Sequence, residues 1–258
     1  MFDYTTKNVM VFGGTSGINL GIAHAFARNG ARVAVASRNP DKVEAAKTAL
    51  SAYGTPASGY SLDVRNFADV QAAIDDFAAQ HGAIDVLISG AAGNFVVTAA
   101  ALSPNGFKSV MDIDTLGTFH VCRAAYAHLA KPGAVILNIS APQAFRASPL
   151  QVHVCAAKAG VDMITRVLAL EWGGDGIRVL SVTPGPIDGT EGMDRLAPTP
   201  EDKARSARSV PLGRMGTVDD VADVCLFLAS DMARYMTGSV IPVDGGSTAG
   251  RAMSGLDG

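Results

Sequence analysis

Short runs of β-branched and other apolar residues alternate along this chain with longer Ala-rich stretches whose apolar positions recur every three to four residues. NVMVF (8–12) is followed by a segment with Ile18, Ile22 and Phe26 on one side, stopped by Asn29-Gly30. RVAVAS (32–37) precedes a helical pattern near 41–52, and ASGYSLD leads to another at about 67–80. IDVLIS (84–89) reads as a strand, 103–130 as one long helix, AVILNIS (134–140) as a strand and QVHVCAAKAGVDMITRVLALEW as a helix. IRVLSV (177–182), a helix at 218–229 and a last strand, SVIPV (239–243), complete the pattern. The helical period and the Asn-Gly stop carry these assignments. Near-continuously apolar strands separated by helices belong to a parallel sheet covered on both faces, and right-handed crossovers make it a doubly wound α/β sheet of the Rossmann type.

No linker or shift in composition separates a second domain, so residues 1–258 read as a single domain. One long stretch, 184–216, has neither period and is rich in Pro, Gly and charge. Segments of that length are substrate loops or lids, or else solvated connections.

Composition narrows the class. With 258 residues, 48% apolar and 17% charged, the chain can bury a large core, which excludes a disordered protein. A net charge of −3 without blocks of like charge offers nothing to nucleic acid or a membrane surface. Cys122, Cys155 and Cys225 are odd in number and far apart in helix-like segments, which predicts buried reduced thiols rather than disulfides or a metal site. No apolar run is long enough to span a bilayer. No basic region precedes the first strand, and the terminal GLDG is not a peroxisomal address. The expectation is a soluble cytoplasmic protein.

The first chemistry lies in VMVFGGTSGINLGIA. Gly13 and Gly17 stand between the first strand and the first helix, where glycine lets backbone N–H groups approach a pyrophosphate and the helix N-terminus adds positive potential. Thr15 and Ser16 add hydroxyls, and Ile18 closes the turn. NAD enzymes usually carry an acid at the end of the second strand. Here that strand ends Ala36-Ser37-Arg38, and a hydroxyl with a guanidinium suits a 2′-phosphate, so NADP(H) is the expected cofactor.

These residues, with LDV at 62–64, AAGN at 91–94, Lys158, PGPI at 184–187 and VDGG at 243–246, resemble the short-chain dehydrogenase/reductase family over essentially the whole chain. The resemblance implies seven strands in the order 3-2-1-4-5-6-7. It implies Asp63 and Val64 at the adenine, the 89–92 turn with Ala91 beside the cofactor, and Lys158 on the nicotinamide ribose. Pro184 and Gly185 would lie in the following turn, with Ile187 and Thr190 on the carboxamide. It also implies a homotetramer built on the helices near 103–130 and 151–172.

The chain departs from the family pattern at telling places. Asn19 replaces the third glycine of the phosphate loop, which asparagine's tolerance of left-handed backbone would allow. The tyrosine four residues before the lysine is Val154, the serine thirteen before that is Ala141, and the asparagine of the fourth long helix is Asp114. AAGNF (91–95), LSPNGF (102–107), MDIDTLGTF (111–119), LQVHVCAAKAGVD (150–162), LEWGGDGIRV (170–179) and PGPIDGTEG (184–192) are similar to the 2,4-dienoyl-CoA reductase branch, the peroxisomal type above all. The mitochondrial type has a tyrosine fifteen residues before the lysine, where this chain has Gln143.

That likeness implies NADPH-dependent reduction of a 2,4-dienoyl-CoA thioester to a trans-3-enoyl-CoA. Ketone reduction leaves a basic alkoxide that needs a donor at oxygen. Hydride at the δ carbon of a dienoyl thioester leaves a delocalised dienolate, which hydrogen bonds can hold without a phenol. Asp114 and Lys158 would then order the water that protonates the α carbon. Asn94 would meet the thioester and Phe95 the acyl chain. His153 points away from the Lys158 face of its helix and is left out as an acid. Arg195, Lys203, Arg205 and Arg208 either contact CoA phosphates or are solvated. Two other readings stand beside this one: a short-chain oxidoreductase for another small carbonyl, alcohol or enoyl substrate, and a dinucleotide-binding protein that has lost catalysis.

Overall fold

The five residues of NVMVF are all buried, because this strand, β1 (Asn8–Phe12), lies at the centre of the sheet. In the computed structural model, which describes residues 2–250, β1 is followed by α1 (Gly17–Arg28), β2 (Arg32–Ser37), α2 (Pro40–Ser51), β3 (Ser58–Ser61) and α3 (Phe67–His81). Then come β4 (Val86–Ser89), α4 (Pro104–Met111), α5 (Gly117–Ala125), β5 (Val135–Ile139), α6 (Val152–Trp172) and β6 (Arg178–Pro184). The described chain closes with α7 (Glu191–Leu196), α8 (Pro200–Ser209), α9 (Val218–Ala229) and β7 (Val240–Val243). The terminal GLDG lies outside the described residues. All seven strands pair in parallel in the order 3-2-1-4-5-6-7, as expected.

Successive strand residues face opposite sides, and that period of two sorts the core into two layers. Val9, Val11, Val33, Val35, Val86 and Ile88 pack with Ile22 and Phe26 of α1, Leu50 of α2 and Val221 and Leu226 of α9. Met10, Phe12, Ala34, Leu87, Ile136 and Val179 pack with Ile74 and Phe77 of α3, Val121 of α5 and Leu168 and Trp172 of α6. Each large side chain so buried contributes about 1.5–3 kcal/mol. The strands end on one edge of the sheet, and the turns leaving that edge carry the chemistry-bearing residues.

Two expectations are refined. The 103–130 segment is helical without a gap from residue 104 to residue 128, as expected, but not uniformly so: between α4 and α5 it widens into a π turn over Asp112–Leu116, and it ends in a 3-10 turn at Tyr126–His128. One extra residue in a turn shifts the apolar stripe too little for periodicity to reveal. Here the turn brings Gly117 against Val64, where a Cβ would fall 2.7 Å from the valine side chain, and lets Thr115 Oγ1 donate to the Ala157 carbonyl at 3.0 Å. The 184–216 stretch is not wholly irregular either, since it holds α7 and α8. Helix α8 buries no residue and so shows no apolar stripe; a capping box between Thr199 and Asp202 and Pro200 in its first turn start it.

Phe77 of α3 is fully buried in the core. Phe77→Ala is expected to lower stability by about 3–5 kcal/mol in urea unfolding, whereas truncating the exposed Met232 to alanine should change it by less than about 0.5 kcal/mol.

Candidate active site

At the end of β1 the chain turns through Gly13, with φ +77°, where an added Cβ would lie 2.9 Å from the Ala91 nitrogen. Only glycine allows both that backbone conformation and that approach. Gly17, with φ +52°, opens α1. Ser16 is the N-cap of α1, its side chain makes no cap bond, and the first turn holds no acidic residue. The positive end of the helix and its orphan N–H groups are therefore available to an anion.

A cleft of about 320 Å³ extends from this turn past Thr15, Ser37, Arg38, Asp63, Val64 and Ala91. Lys42 also lines it, from the first turn of α2, where the Asn39 side chain caps the helix by accepting from the Lys42 nitrogen at 3.0 Å. Its place four residues after Arg38 was a readable signal of a second cation. Asp63 is braced by Arg65 at 2.6 Å, and those hydrogen bonds hold its carboxyl below the usual carboxylate range.

The reading of Asn19 as a left-handed replacement is corrected. Asn19 lies within α1, and among the described residues Leu150 is the only non-glycine with positive φ. The Asn19 side chain does something else: Nδ2 donates to the Gly90 carbonyl at 2.8 Å, bracing the phosphate turn against the turn after β4.

A second, larger cleft of about 860 Å³ begins at Ile18 and runs between Asn94, Ser140, Ala141 and Gln143 on one side and Pro184, Gly185, Ile187 and Thr190 on the other. Beneath its wall, Lys158 of α6 is 6% exposed and Asp114 of the π turn fully buried. Lys158 Nζ donates to the Ile139 carbonyl at 3.0 Å and pairs with Asp114 Oδ2 at 3.1 Å. Asp114 Oδ1 accepts from the Gly93 nitrogen at 2.7 Å. Val154, one turn before Lys158, is packed against Val110 and Ala157. Apolar Val154 and Ala141 therefore occupy the two positions where a phenol and a hydroxyl were missing from the sequence.

The remaining expected residues fall into two sets. Thr190 caps α7 by accepting from the Met193 nitrogen, and donates to the Ile187 carbonyl at 2.8 Å. Phe95 stacks on His153 with ring centroids 4.3 Å apart, and the buried His153 bonds the Phe95 carbonyl through Nε2 at 3.1 Å. Of the four cations named on 184–216, Arg208 lines the larger cleft. The others engage carboxylates: Arg195 with Glu191 at 2.5 Å, Lys203 with Asp188 and Asp194 at 3.1 and 3.0 Å, and Arg205 with Asp202. Arg146, which no sequence pattern marked, lines the cleft and donates to the Ser247 carbonyl at 3.1 Å. Gln151, also unmarked, bonds Asn94.

A family model described as enoyl-(acyl carrier protein) reductase matches residues 13–248, and with the seven-stranded sheet it shows that the chain belongs to the short-chain dehydrogenase/reductase family of oxidoreductases. It is 46% identical to a peroxisomal 2,4-dienoyl-CoA reductase [(3E)-enoyl-CoA-producing] of Rattus norvegicus, over 93% of this chain and 83% of that protein. It is 40% identical to a probable 2,4-dienoyl-CoA reductase [(2E)-enoyl-CoA-producing] of Bacillus subtilis, over 93% of this chain and 96% of the other. Among solved structures, a short chain dehydrogenase from Bacillus anthracis superposes with a TM-score of 0.85 at 38% identity, covering 94% of this chain and 97% of its own.

A buried ion that loses its partner is strongly destabilised. Asp114→Ala is thus expected to cost about 3–5 kcal/mol in chemical denaturation, with Asp114→Ala/Lys158→Met recovering a large part. Equal stability of the single and double variants would show that the pair is not coupled.

Proposed function

We propose that this chain catalyses the NADPH-dependent reduction of a 2,4-dienoyl-CoA thioester to a trans-3-enoyl-CoA. One observation carries the reading: a buried ammonium–carboxylate pair lies under the cleft while valine and alanine stand where a proton donor for a carbonyl oxygen would be. The names of the relatives in Rattus norvegicus and Bacillus subtilis support the same reaction class.

The residues at the smaller cleft fit a phosphorylated dinucleotide. Gly13, Ser16 and Gly17 offer a close backbone approach and a helix N-terminus to the pyrophosphate, and Ser37, Arg38 and Lys42 offer a hydroxyl and two cations to a 2′-phosphate. Asp63 and Val64 would flank the adenine, Ala91 the middle of the cofactor, and Ile187 and Thr190 its carboxamide end. When bound, NADPH supplies a hydride to the δ carbon of the substrate.

The chain's own groups then manage charge and a proton. The Lys158 ammonium has three donors, of which the Ile139 carbonyl takes one; Asp114 Oδ2 pairs with its charge at 3.1 Å, and a donor is left for a ribose hydroxyl. Its positive charge, in a site largely closed to water, favours negative charge on the substrate. Asn94 donates to the thioester oxygen and Phe95 contacts the acyl chain. Asp114 and Lys158 hold the water that delivers a proton to the α carbon, giving the 3-enoyl product. A second reading comes from the (2E) product in the name of the Bacillus subtilis relative: the same dienolate protonated at the γ carbon.

Arg146 and Arg208 are the cations that would meet CoA phosphates at the cleft. Exposed Phe119 on α5 and Met163, Val167 and Leu170 on α6 form the apolar surface a homotetramer would cover. No described helix is long and apolar enough to cross a membrane, and the three free cysteines suit a reducing compartment such as the cytoplasm.

With NADPH and 2,4-decadienoyl-CoA, the cofactor absorbance is expected to fall, and NMR of the product to show a 3,4 double bond; a 2,3 double bond would move the protonation to the γ carbon, and no turnover would end the reading. Lys158→Ala should lose at least about a hundredfold in kcat; near-wild-type turnover would remove the lysine from the mechanism. Binding titrations should give a lower Kd for NADPH than for NADH, with Arg38→Ala narrowing the difference by about tenfold or more; tighter NADH binding would overturn the cofactor assignment.

A further inference from the structure

Three primary amides stand in a row at the larger cleft. Gln143 Nε2 donates to Gln151 Oε1 at 3.1 Å, and Gln151 Nε2 donates to Asn94 Oδ1 at 2.9 Å. The two ends, Gln143 and Asn94, line the cleft, and Gln151 between them is 5% exposed. They come from three separate turns: after β4, after β5, and directly before α6. Gln151 is the N-cap of α6, yet its side chain makes no cap bond; its amide is committed to the row. Leu150, just before it, holds φ +67°, a left-handed conformation that costs free energy for a residue with a Cβ and persists only where the surroundings require it.

An amide accepts at oxygen and donates at nitrogen, so a row of amides has a direction. In this one the Asn94 oxygen is consumed by Gln151, and its Nδ2–H₂ is the end left over. The Gln143 Oε1 at the other end is buried without a hydrogen-bond partner. A thioester oxygen gaining negative charge needs a donor and is repelled by an amide oxygen. We propose that Gln151 is a positioning residue, which sets the direction of the row so that Asn94 presents Nδ2–H₂ to the thioester oxygen. The inference rests on the dienoyl thioester reading above.

Gln151→Glu tests it. An ionised carboxylate only accepts; it would take hydrogen bonds from both neighbours and turn the Asn94 oxygen toward the substrate. The protonated carboxyl accepts from Gln143 and donates to Asn94, restoring the original direction. At neutral pH the variant is expected to lose about a hundredfold in kcat on 2,4-decadienoyl-CoA, with NADPH affinity close to wild type and a thermal midpoint that is lowered, because the new carboxylate is buried. As pH falls, its kcat relative to wild type should rise. The charged and titratable groups around the row are Arg195, whose Nη1 reaches the Asn94 carbonyl at 3.4 Å, Arg146 and Arg208 in the cleft wall, His153 against Phe95, and the Lys158–Asp114 pair. All are shared by variant and wild type, so the ratio isolates the introduced carboxyl.

Adding Asn94→Ala should abolish the acid recovery and cause little further loss at neutral pH. Gln151→Met, which breaks both bonds without adding charge, should lose about tenfold with no acid recovery. Unchanged kcat in either single variant, or a Gln151→Glu loss that persists in full on the Asn94→Ala background, overturns the proposal. If wild type leaves decadienoyl-CoA unreduced, the reductase reading falls by itself, and the row is read from ¹⁵N-asparagine-labelled protein. The Asn94 side-chain amide signals of the Gln151→Glu variant should then shift as the new carboxyl titrates; signals that ignore pH overturn the row.

Discussion

The ion pair between Lys158 and Asp114 is the constraint on which this end of the molecule depends. Removing an ammonium and a carboxylate from water costs several kcal/mol each, and their attraction offsets that only with good geometry and satisfied hydrogen bonds. Backbone supplies part of this: the Ile139 carbonyl at the end of β5 takes the ammonium and the Gly93 nitrogen after β4 takes Asp114 Oδ1, while Asp114 Oδ2 faces the ammonium at 3.1 Å without a hydrogen bond of its own. The carboxylate itself comes from the π turn and the ammonium from α6. Four segments are thereby tied at one point, and the main-chain atoms that satisfy the pair belong to residues in or next to the cleft wall.

The π turn is the means by which this is achieved. Such turns interrupt α-helices often at functional sites. Here it accompanies the close packing of Gly117 on Val64 and of Thr115 on α6, so the turn that carries Asp114 also joins the wall of the smaller cleft at Val64 to α6. The phosphate turn is braced in a similar way by the Asn19 side chain on the Gly90 carbonyl. Side-chain to backbone bonds between successive turns hold the strand ends in register where the sheet no longer does.

Removing a phenol from such a site changes what it can reduce. Val154 is packed, not vacant, and a valine neither gives nor takes a proton. Near the cleft, the buried Lys158 cation and the side-chain amides can stabilise an anion, while Val154 and Ala141 have no proton to give an alkoxide. That set is what the proposed reduction of a conjugated thioester asks for.

The sequence alone determined a parallel sheet and the chain order of its elements, because near-continuous apolar runs mark most strands and a period near 3.6 most helices. Pattern also marked the glycine turn after β1. Lys158, Asp114, the absent phenol, Asn94 and Phe95 were marked by resemblance. Only the tertiary structure decided that the 103–130 helix widens into a π turn at Asp112–Leu116, that α7 and α8 form inside 184–216, and that Asn19 is helical. It alone joined Gln143, Gln151 and Asn94, and brought Arg146 and Lys42 to the clefts. The reason is physical: local periodicity reports which face of an element is buried, whereas a polar group's partner is set by where separate turns meet at the sheet edge, and that meeting leaves no period in the chain.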